Sequence, residues 1–473
     1  MTRCVPITAF VLSCFVFRSA HCHEHSFGPL FNRNALTLGI GTRTELFGPL
    51  INHESGESGR SITFSPFFTS QSDAGADATE LSLAYPFLSY KRFGAEYRFH
   101  FLQLLSLAGG ASSQGKTSSR FTLFPFYFQQ RSSDSNRNYT ALVPLFGHLE
   151  NRLFRDEVDF ALLPLYLKTR KKDVVTQNYL FPFFHRRHGE ALSGWQLWPL
   201  AGREHKDITT KTNTFGDIEQ VGGHDKTFFL WPFYFNNKLA LGTENPETQH
   251  LFLPLFSFQR SPRRDSTTYL WPLGFTYTED REKKYREWDA PWPLVVFARG
   301  EGKTAHRIWP LFSHAQNATL ESDFYLWPLY KHDRFNSDPL DRRRTRILFF
   351  LYSDLVERNT TTGTALERTD LWPLFTARRD HNGNERLQML SVIEPLLPNS
   401  KTVERLYSPI WSIWRSEKNH STGAASQSFL WNLYRRETTP TSKKCSLLFG
   451  LFHYQSDLNG TRVRLFYVPI KKG

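Results

Sequence analysis

Two short groups of histidines are the residues of this chain most suggestive of chemistry. His21, His23 and His25 surround a glutamate near the N-terminus, and imidazole with carboxylate is a ligand set that zinc accepts. His185 and His188 flank a pair of arginines further along the chain. Neither group is followed by further ligands at a suitable spacing, so the first indicates a processed N-terminal end and the second a solvated hairpin tip. We therefore predict no metal site and no cofactor.

Catalytic sequence patterns are also missing. The sequence contains no nucleophile elbow, no phosphate-cradling glycine loop, no CxxC pair and no HExxH, which are the local patterns that nucleophilic, phosphoryl-transfer, redox and zinc hydrolase chemistry use. Three of the four cysteines, Cys4, Cys14 and Cys22, lie at the N-terminus, which leaves Cys445 alone. One cysteine cannot form an internal disulfide. We predict a protein that is not an enzyme and has no catalytic residues.

The N-terminus has the pattern of a secretion signal. Arg3 is followed by a short apolar stretch over residues 5–17 and by small residues before Cys22, and this order is typical of a signal peptide. We predict a signal peptide over residues 1–22 and a mature domain over residues 23–473. An uncleaved N-terminal anchor and lipidation at Cys22 are the alternatives.

A recurring tripeptide organises the rest of the chain. Trp-Pro-Leu or Trp-Pro-Phe occurs seven times, and looser copies replace the tryptophan by another residue, as in Leu163-Pro164-Leu165. From Pro125 to Pro328 the prolines of these tripeptides follow one another at steps of 17 to 22 residues, apart from one step of 33. Such self-similarity indicates a repeat architecture. The residues predicted to form the structural core of the repeat are Trp198, Pro199, Trp231, Pro232, Trp271, Pro272, Trp292, Pro293, Trp309, Pro310, Trp327, Pro328, Trp372 and Pro373.

Each unit of about 20 residues is interpreted as one β-strand. Its centre is a short aromatic run bounded by turn residues, which favours a strand over a helix. Asn382-Gly383 and Asn459-Gly460 lie midway between units, and Asn-Gly is a strong hairpin signal. Gln103, Phe350, Asn432 and Gly450 fill the gaps where proline is replaced. The sequence therefore predicts an all-β, antiparallel up-and-down meander of about 22–23 strands, with a long inserted loop over residues 206–224.

The proline in each unit conflicts with a strand centre, because proline has no N–H for the ladder. We predict a belt at mid-strand where pairing is locally broken by bulges. The alternative is that each proline ends one short strand and begins another. Because both faces of the belt are apolar, the belt is expected to be buried on both sides, by lipid and a packed lumen or by protein.

The export signal, the serial hairpins and the aromatic enrichment resemble the architecture of outer-membrane β-barrels, without the signature of a specific family. This resemblance implies a sheet closed as a barrel in the cell outer membrane, with a structural, transport or adhesion role. The apolar belt is narrower than a membrane strand requires. The alternative is a water-soluble β-repeat scaffold or binding protein, either periplasmic or secreted. A parallel solenoid is disfavoured by the Asn-Gly turns.

The formal charge of +13 favours anionic partners. Basic clusters such as Arg170-Lys171-Lys172 and Arg342-Arg343-Arg344 fall between units, where they indicate a solvated turn surface or a collar that contacts anionic groups. Given the export signal, membrane lipid or anionic glycan is the expected partner, and nucleic acid is not.

Overall fold

The computed structural model describes residues 26–27, 30–57, 59–111, 115, 117–212, 216, 218–458 and 460–470. The predicted signal peptide and the N-terminal histidine group lie outside these residues. What is described is almost entirely β-structure.

The strands are short, and most have five to eight residues. The first sixteen are β1 (Ser26–Phe27), β2 (Phe31–Ala35), β3 (Gly41–Leu46), β4 (Ile51–Gly56), β5 (Gly59–Phe64), β6 (Phe68–Asp73), β7 (Ala78–Leu83), β8 (Leu88–Phe93), β9 (Glu96–Phe101), β10 (Leu105–Ala111), β11 (Thr117–Leu123), β12 (Tyr127–Ser132), β13 (Tyr139–Leu142), β14 (Phe146–Arg152), β15 (Arg155–Ala161) and β16 (Tyr166–Lys171). The next sixteen are β17 (Val174–Tyr179), β18 (Phe184–His188), β19 (Leu192–Leu197), β20 (Ala201–Lys206), β21 (Thr209–Thr212), β22 (Ile218–Val221), β23 (Gly223–Phe229), β24 (Tyr234–Leu241), β25 (Glu247–Phe252), β26 (Phe256–Arg260), β27 (Arg264–Tyr269), β28 (Phe275–Asp280), β29 (Tyr285–Asp289), β30 (Val295–Gly300), β31 (Lys303–Ile308) and β32 (Phe312–Asn317). The last fourteen are β33 (Leu320–Tyr325), β34 (Tyr330–Ser337), β35 (Leu340–Ile347), β36 (Tyr352–Asn359), β37 (Ala365–Leu371), β38 (Phe375–Arg379), β39 (Glu385–Met389), β40 (Trp414–Lys418), β41 (Ala425–Phe429), β42 (Tyr434–Thr439), β43 (Ser442–Leu447), β44 (Phe452–Asp457), β45 (Gly460–Leu465) and β46 (Val468–Ile470).

Within the described part of the chain, 44 of these strands form one antiparallel sheet. Between the terminal strands β1 and β46, each strand of this sheet pairs with its two neighbours along the chain, except that β20 pairs with β23 across an insertion. The predicted antiparallel up-and-down meander is confirmed. The predicted number of 22–23 strands is wrong by a factor of two.

The strand count doubles because the Trp-Pro-Leu segments are turns and not strand centres. Residues 326–329, for example, connect β33 to β34, and all seven Trp-Pro pairs occupy such connections, with a cis peptide bond before the proline. The Asn382-Gly383 turn connects β38 to β39 at the opposite edge of the sheet. Each interval of about 20 residues therefore holds two strands and two turns. The mid-strand belt is a wrong prediction, and the alternative that each proline separates two short strands is correct.

Backbone hydrogen bonds explain how the prolines are accommodated. The Trp327 N–H donates to the carbonyl of Pro310 at 2.7 Å, and the Leu326 N–H donates to the carbonyl of Leu311 at 2.6 Å. In the same way, the Phe181 N–H donates to the carbonyl of Pro164. Proline has no N–H to donate but keeps its carbonyl, so a turn that needs only an acceptor from it tolerates proline where a ladder position does not. Neighbouring turns along this edge are thereby bonded to one another.

The two faces of the sheet differ in polarity. Because side chains alternate along a strand, Glu45 and its cross-strand neighbours share one face, which we call the inner face. On this face, the cross-strand row of side chains closest to the Trp-Pro-Leu-type turns begins at Glu45. It continues through Asn52, Thr63, Thr69, Ser82 and Ser89. The corresponding row of the opposite, outer face reads Leu46, Ile51, Phe64, Phe68, Leu83 and Leu88.

Apolar burial is correspondingly limited. In the described ranges, the largest buried hydrophobic cluster consists of Tyr139, Ala141, Leu149, Val158 and Phe160. Its cross-strand members lie on neighbouring strands and not across two layers. The ladder, rather than a thick core, therefore holds most of this sheet together.

One insertion departs from the strand pattern. Between β39 and β40 the chain forms α1 (Lys401–Leu406) and α2 (Ser408–Trp411), and α1 packs against β5 and β6 with Val403 and Leu406 buried. The sequence predicted strand units centred on Pro395 and Pro409. Pro409 instead lies in the first turn of α2, a position where proline suits a helix.

Ser400 caps α1, and its loss should weaken the docking of the insertion. Its side-chain oxygen accepts a hydrogen bond from the Val403 N–H at 3.3 Å. We expect Ser400→Ala to lower the free energy of unfolding by about 1 kcal/mol, measured by urea denaturation. Ser400→Thr, which keeps the hydroxyl, should lose clearly less; an equal loss in both variants would contradict the capping role.

The insertion over residues 206–224 was predicted to be a loop. Its described residues include β21 and β22, which pair with each other and not with the large sheet. The ends of the segment, Lys206 and His224, pair with each other in the large sheet, and the described residues between them include a small separate hairpin.

The two ends of the sheet meet through side chains. The rings of Phe27 and Tyr467 stack at a centroid distance of 5.8 Å. Further from the ends, Thr37 donates to Ser426 at 2.7 Å, and the Tyr407 hydroxyl donates to the carbonyl of Tyr85 at 2.8 Å. In the described residues β1 pairs only with β2, and β46 only with β45. The first strands therefore lie against the last strands without a ladder between the two ends.

Candidate functional surface

One long edge of the sheet is apolar and exposed. We call this the apolar edge and define it as the Trp-Pro-Leu-type turns together with the outer-face residue at the end of each adjoining strand. Leu273 in one turn is 81% exposed and Trp271 is 45% exposed. Exposed outer-face members include Phe64, Leu83, Phe101, Phe146, Tyr179, Phe229, Phe252, Tyr269, Tyr325, Ile347, Met389 and Leu447.

Ring contacts connect neighbouring turns along the apolar edge. The centroids of Trp198 and Trp231 lie 5.6 Å apart, and those of Trp309 and Trp327 lie 5.9 Å apart. Trp327 also meets Phe349 edge-on at 5.4 Å. Tilted and edge-on pairs at these distances are favourable for aromatic rings. Several neighbouring turns of the apolar edge are therefore in direct contact and are not isolated side chains.

The predicted repeat-core residues all lie on this edge. Trp231, Trp271, Trp292, Trp309 and Trp327 are each at least 40% exposed. Trp198 and Trp372 are half-buried, and the Trp372 indole N–H donates to the carbonyl of Val392. The expectation that the belt is buried on both sides is not met within this chain.

Charged residues occupy the opposite edge. Arg170 and Lys171 end β16, and the turn over residues 281–284 carries a further arginine and two lysines. Salt bridges such as Lys284 Nζ to Glu301 Oε2 at 2.9 Å join adjacent turns there. Since a strand rises by about 3.3 Å per residue, six residues separate the two edges by roughly 20 Å. The sheet is thus amphipathic along its strands as well as between its faces.

The inner face carries a buried network of charges where the two ends of the sheet meet. Glu417 is 5% exposed; its carboxylate lies 2.9 Å from Nη2 of Arg415 and 4.0 Å from Nη1 of Arg43. Arg43 also donates to Glu54 at 2.6 Å. Burial acts to raise the pKa of Glu417, but the surrounding arginines outweigh it and hold that pKa at about 2.

No known family matches this chain, and comparison with curated proteins finds no relative. The surfaces themselves are therefore the available guide to function.

His185 and His188 do not face a common site. His185 and His188 lie on β18 three positions apart, so they point to opposite faces. Burial and Arg187 lower the pKa of His185. In the described ranges no three His, Cys, Asp or Glu side chains are grouped so that they would hold a metal. The N-terminal histidines lie outside those ranges.

The helices offer no membrane span: across the described part of the chain none has the length and apolar character to cross a bilayer.

The inner charge network was missed by sequence reasoning, although a signal for it exists. Arg43 and Glu45 alternate with threonine on β3, as Arg415 and Glu417 alternate with serine on β40. Alternating charges on one face of a strand would ordinarily be assigned to solvent. Only the approach of the two sheet ends, which no local pattern encodes, buries them.

Proposed function

We propose that this chain is an exported, non-enzymatic protein of the cell envelope that contacts membrane lipid through its apolar edge and has a structural, transport or adhesion role. The exposure of apolar side chains in one turn after another of the apolar edge carries this proposal. Contiguous apolar patches of more than a few hundred Å² are rare on soluble monomers, and burying each Leu or Phe side chain stabilises by roughly 1.5–3 kcal/mol.

The depth of insertion follows from the strand length. Strands of six residues rise about 20 Å, whereas a bilayer core is about 30 Å thick and a spanning strand needs about 9–11 residues. The exposed apolar side chains are concentrated at the turns and the adjoining outer positions, and a few, such as Trp195, Trp288 and Phe297, lie two positions further from that edge on the outer face. In this proposal the edge enters one leaflet, and the charged edge stays in water.

Closure and location remain parts of the same proposal. The stacked rings of Phe27 and Tyr467 bring the sheet ends together, which supports a sheet that closes on itself, as in the predicted barrel. The regular return of Trp-Pro-Leu-type turns to one edge supports the predicted repeat. The signal-like residues 1–22 support export, with the outer membrane as the proposed location and a periplasmic or secreted state as the alternative.

A second candidate is a water-soluble exported β-repeat scaffold, in which protein and not lipid covers the apolar edge. The observation that favours it is the shortness of the strands relative to a bilayer. Lipid binding separates the two candidates.

The test is flotation of the mature chain with phosphatidylcholine vesicles. We expect the protein to float with vesicles, and Trp271→Ser combined with Leu273→Arg to reduce binding about tenfold or more, because a charge at a lipid-facing position costs about 1–4 kcal/mol depending on depth. Leu458→Arg is the matched control, since Leu458 is 85% exposed but lies at the charged edge. Native protein that stays at the bottom of the gradient would refute lipid contact.

A further inference from the structure

The inner face contains a cavity with an excess of positive charge. The cavity has a volume of about 360 Å³ and lies among β3–β5, β38–β40 and the helical insertion. It therefore exists only because early strands of the sheet lie against late strands and the helical insertion. Its charged lining residues are Arg43, Glu54, Arg378, Asp380, Arg386, Lys401, Glu404, Arg405 and Arg415.

The carboxylates are already engaged. Glu54 accepts from Arg43, and Glu404 accepts from Arg386. Asp380 accepts the backbone N–H groups of Asn382 and Asn384, both at 2.9 Å. Glu54 and Glu404 are thus paired with arginines, and the three carboxylates together offset only half of the positive charge that lines the cavity.

Three of the six cations have no carboxylate partner among the described residues. Arg378 and Lys401 form no ion pair there, and Arg405 donates only to the neutral amide of Gln71. Arg386 is nearly buried, and its Nε also has no hydrogen-bond partner in the described structure. Burial, together with Arg415 and Arg43, lowers the pKa of Arg386 to about 10 despite the attraction of Glu394 and Glu417.

We propose that this cavity binds a phosphate-bearing ligand. A phosphate monoester carries about two negative charges and three acceptor oxygens at neutral pH, which suits three cations that lack a carboxylate. The planar guanidinium forks of Arg378 and Arg405 present paired donors to phosphate oxygens. The volume lies at the lower end of the range for small-molecule sites, roughly 300–1,000 Å³, so it accommodates the phosphate together with a group the size of glycerol or a sugar.

The phosphate has two possible sources, a soluble phosphate ester and a lipid headgroup. sn-Glycerol 3-phosphate is the soluble probe, and vesicles that contain phosphatidic acid are the lipid probe, with phosphatidylcholine vesicles as the reference. Binding of the soluble probe is measured by titration calorimetry on the full mature chain, and binding of vesicles by flotation. Because the soluble arm contains no lipid, its result is independent of whether the apolar edge binds membranes.

We expect Arg378→Ala combined with Lys401→Ala to weaken binding of glycerol 3-phosphate at least tenfold, or to abolish the preference for phosphatidic acid over phosphatidylcholine. Arg299→Ala and Lys171→Ala together form the matched control, since they remove two exposed charges far along the sheet from the cavity. The control should change binding less than twofold. Urea denaturation verifies that each variant is folded.

The two arms give decisive outcomes. Cavity-dependent binding in the soluble arm identifies a free phosphate ester, and cavity-dependent preference in the vesicle arm alone identifies a headgroup. Absence of cavity-dependent binding in both arms would overturn the proposal. Equal weakening by the control pair would also overturn it, because the attraction would then come from the net charge of the whole chain.

Discussion

Replacing Glu417 by alanine is expected to lower the free energy of unfolding by about 3–5 kcal/mol, the range for removing one partner of a buried ion pair. Glu417 is 5% exposed, and Arg43 and Arg415 contact its carboxylate. Without that carboxylate, the guanidinium groups would be buried with insufficient compensation. Urea denaturation followed by tryptophan fluorescence measures the loss.

The acid sensitivity of the native chain provides a second measurement on the same group. The pKa of Glu417 is about 2 in the folded chain against an ordinary 4.5. Since one pKa unit corresponds to about 1.4 kcal/mol, this carboxylate contributes about 3 kcal/mol. The folded pKa is depressed, so the contribution is fully present above pH 4.5 and is lost as the pH falls through 2. The difference between the native chain and Glu417→Gln should shrink over that interval.

Glu301→Ala is the control for the buried charge. Its partner is Lys284, and both side chains are more than two-thirds exposed. Exposed pairs contribute about 0–1 kcal/mol, so the control should barely change the unfolding curve. A loss at Glu417 no larger than the loss at Glu301 would show that the inner network does not hold the sheet ends together.

The all-β class and the antiparallel meander could be predicted from the sequence, because turn residues and aromatic runs are local signals. Asn382-Gly383 forms the expected hairpin turn. Gln103, Phe350, Asn432 and Gly450, which lack proline, also lie in turns of the apolar edge. The positions of these turns along the chain were therefore predictable even where another residue replaces the proline.

The strand count was not predictable from hydrophobicity, because an apolar run normally marks a buried strand. In this chain the apolar run around Trp327-Pro328 forms an exposed turn, so hydrophobicity does not mark a buried strand there. The absence of an N–H on proline was the more reliable signal, although the sequence prediction explained it by bulges at mid-strand and kept two short strands per unit only as the alternative. The segment around Pro409 was missed for another reason, since its helices are stabilised by packing of Val403 and Leu406 against distant strands.

The site was the least predictable part. The cavity and the Glu417 network combine residues from the first 63 and the last 100 positions of the chain. In each contributing strand, side chains alternate between the two faces as in any strand of a sheet, and nothing local marks the charged ones as buried. Only tertiary approach of the ends decides which of these charges become buried.

Asp289→Asn is expected to stabilise the protein at neutral pH by about 2 kcal/mol, the opposite sign to most buried substitutions. Asp289 is 4% exposed, and its Oδ1 has no hydrogen-bond partner in the described structure. It lies on the inner face between Thr276 and Val296 of the adjoining strands. Burial, with repulsion from Glu287, raises its pKa to about 6, and the nearby cations only partly offset this.

The sign follows from proton linkage. The folded chain retains a proton on Asp289 between pH 3.8 and about 6 that the unfolded chain has released, so stability falls as the pH rises through this interval. A pKa shift of about two units corresponds to about 3 kcal/mol at pH 7. The variant recovers only part of this free energy, because the buried amide of asparagine also needs hydrogen-bond partners. Unfolding free energies measured from pH 4 to pH 8 should slope downward more steeply in the native chain than in Asp289→Asn.

Asp333→Asn is the matched control with the opposite expected sign. Its carboxylate accepts from Ser322 at 2.7 Å and pairs with Arg346 at 3.0 Å. Burial acts to raise its pKa, but the hydrogen bonds and nearby cations outweigh burial and lower that pKa. Loss of a charge-assisted hydrogen bond costs about 1.5–3 kcal/mol, so this variant should be less stable at pH 7. The same substitution on one sheet face then raises stability where the carboxylate lacks partners and lowers it where they are present. If both variants lost stability, burial without a partner would not be what distinguishes Asp289.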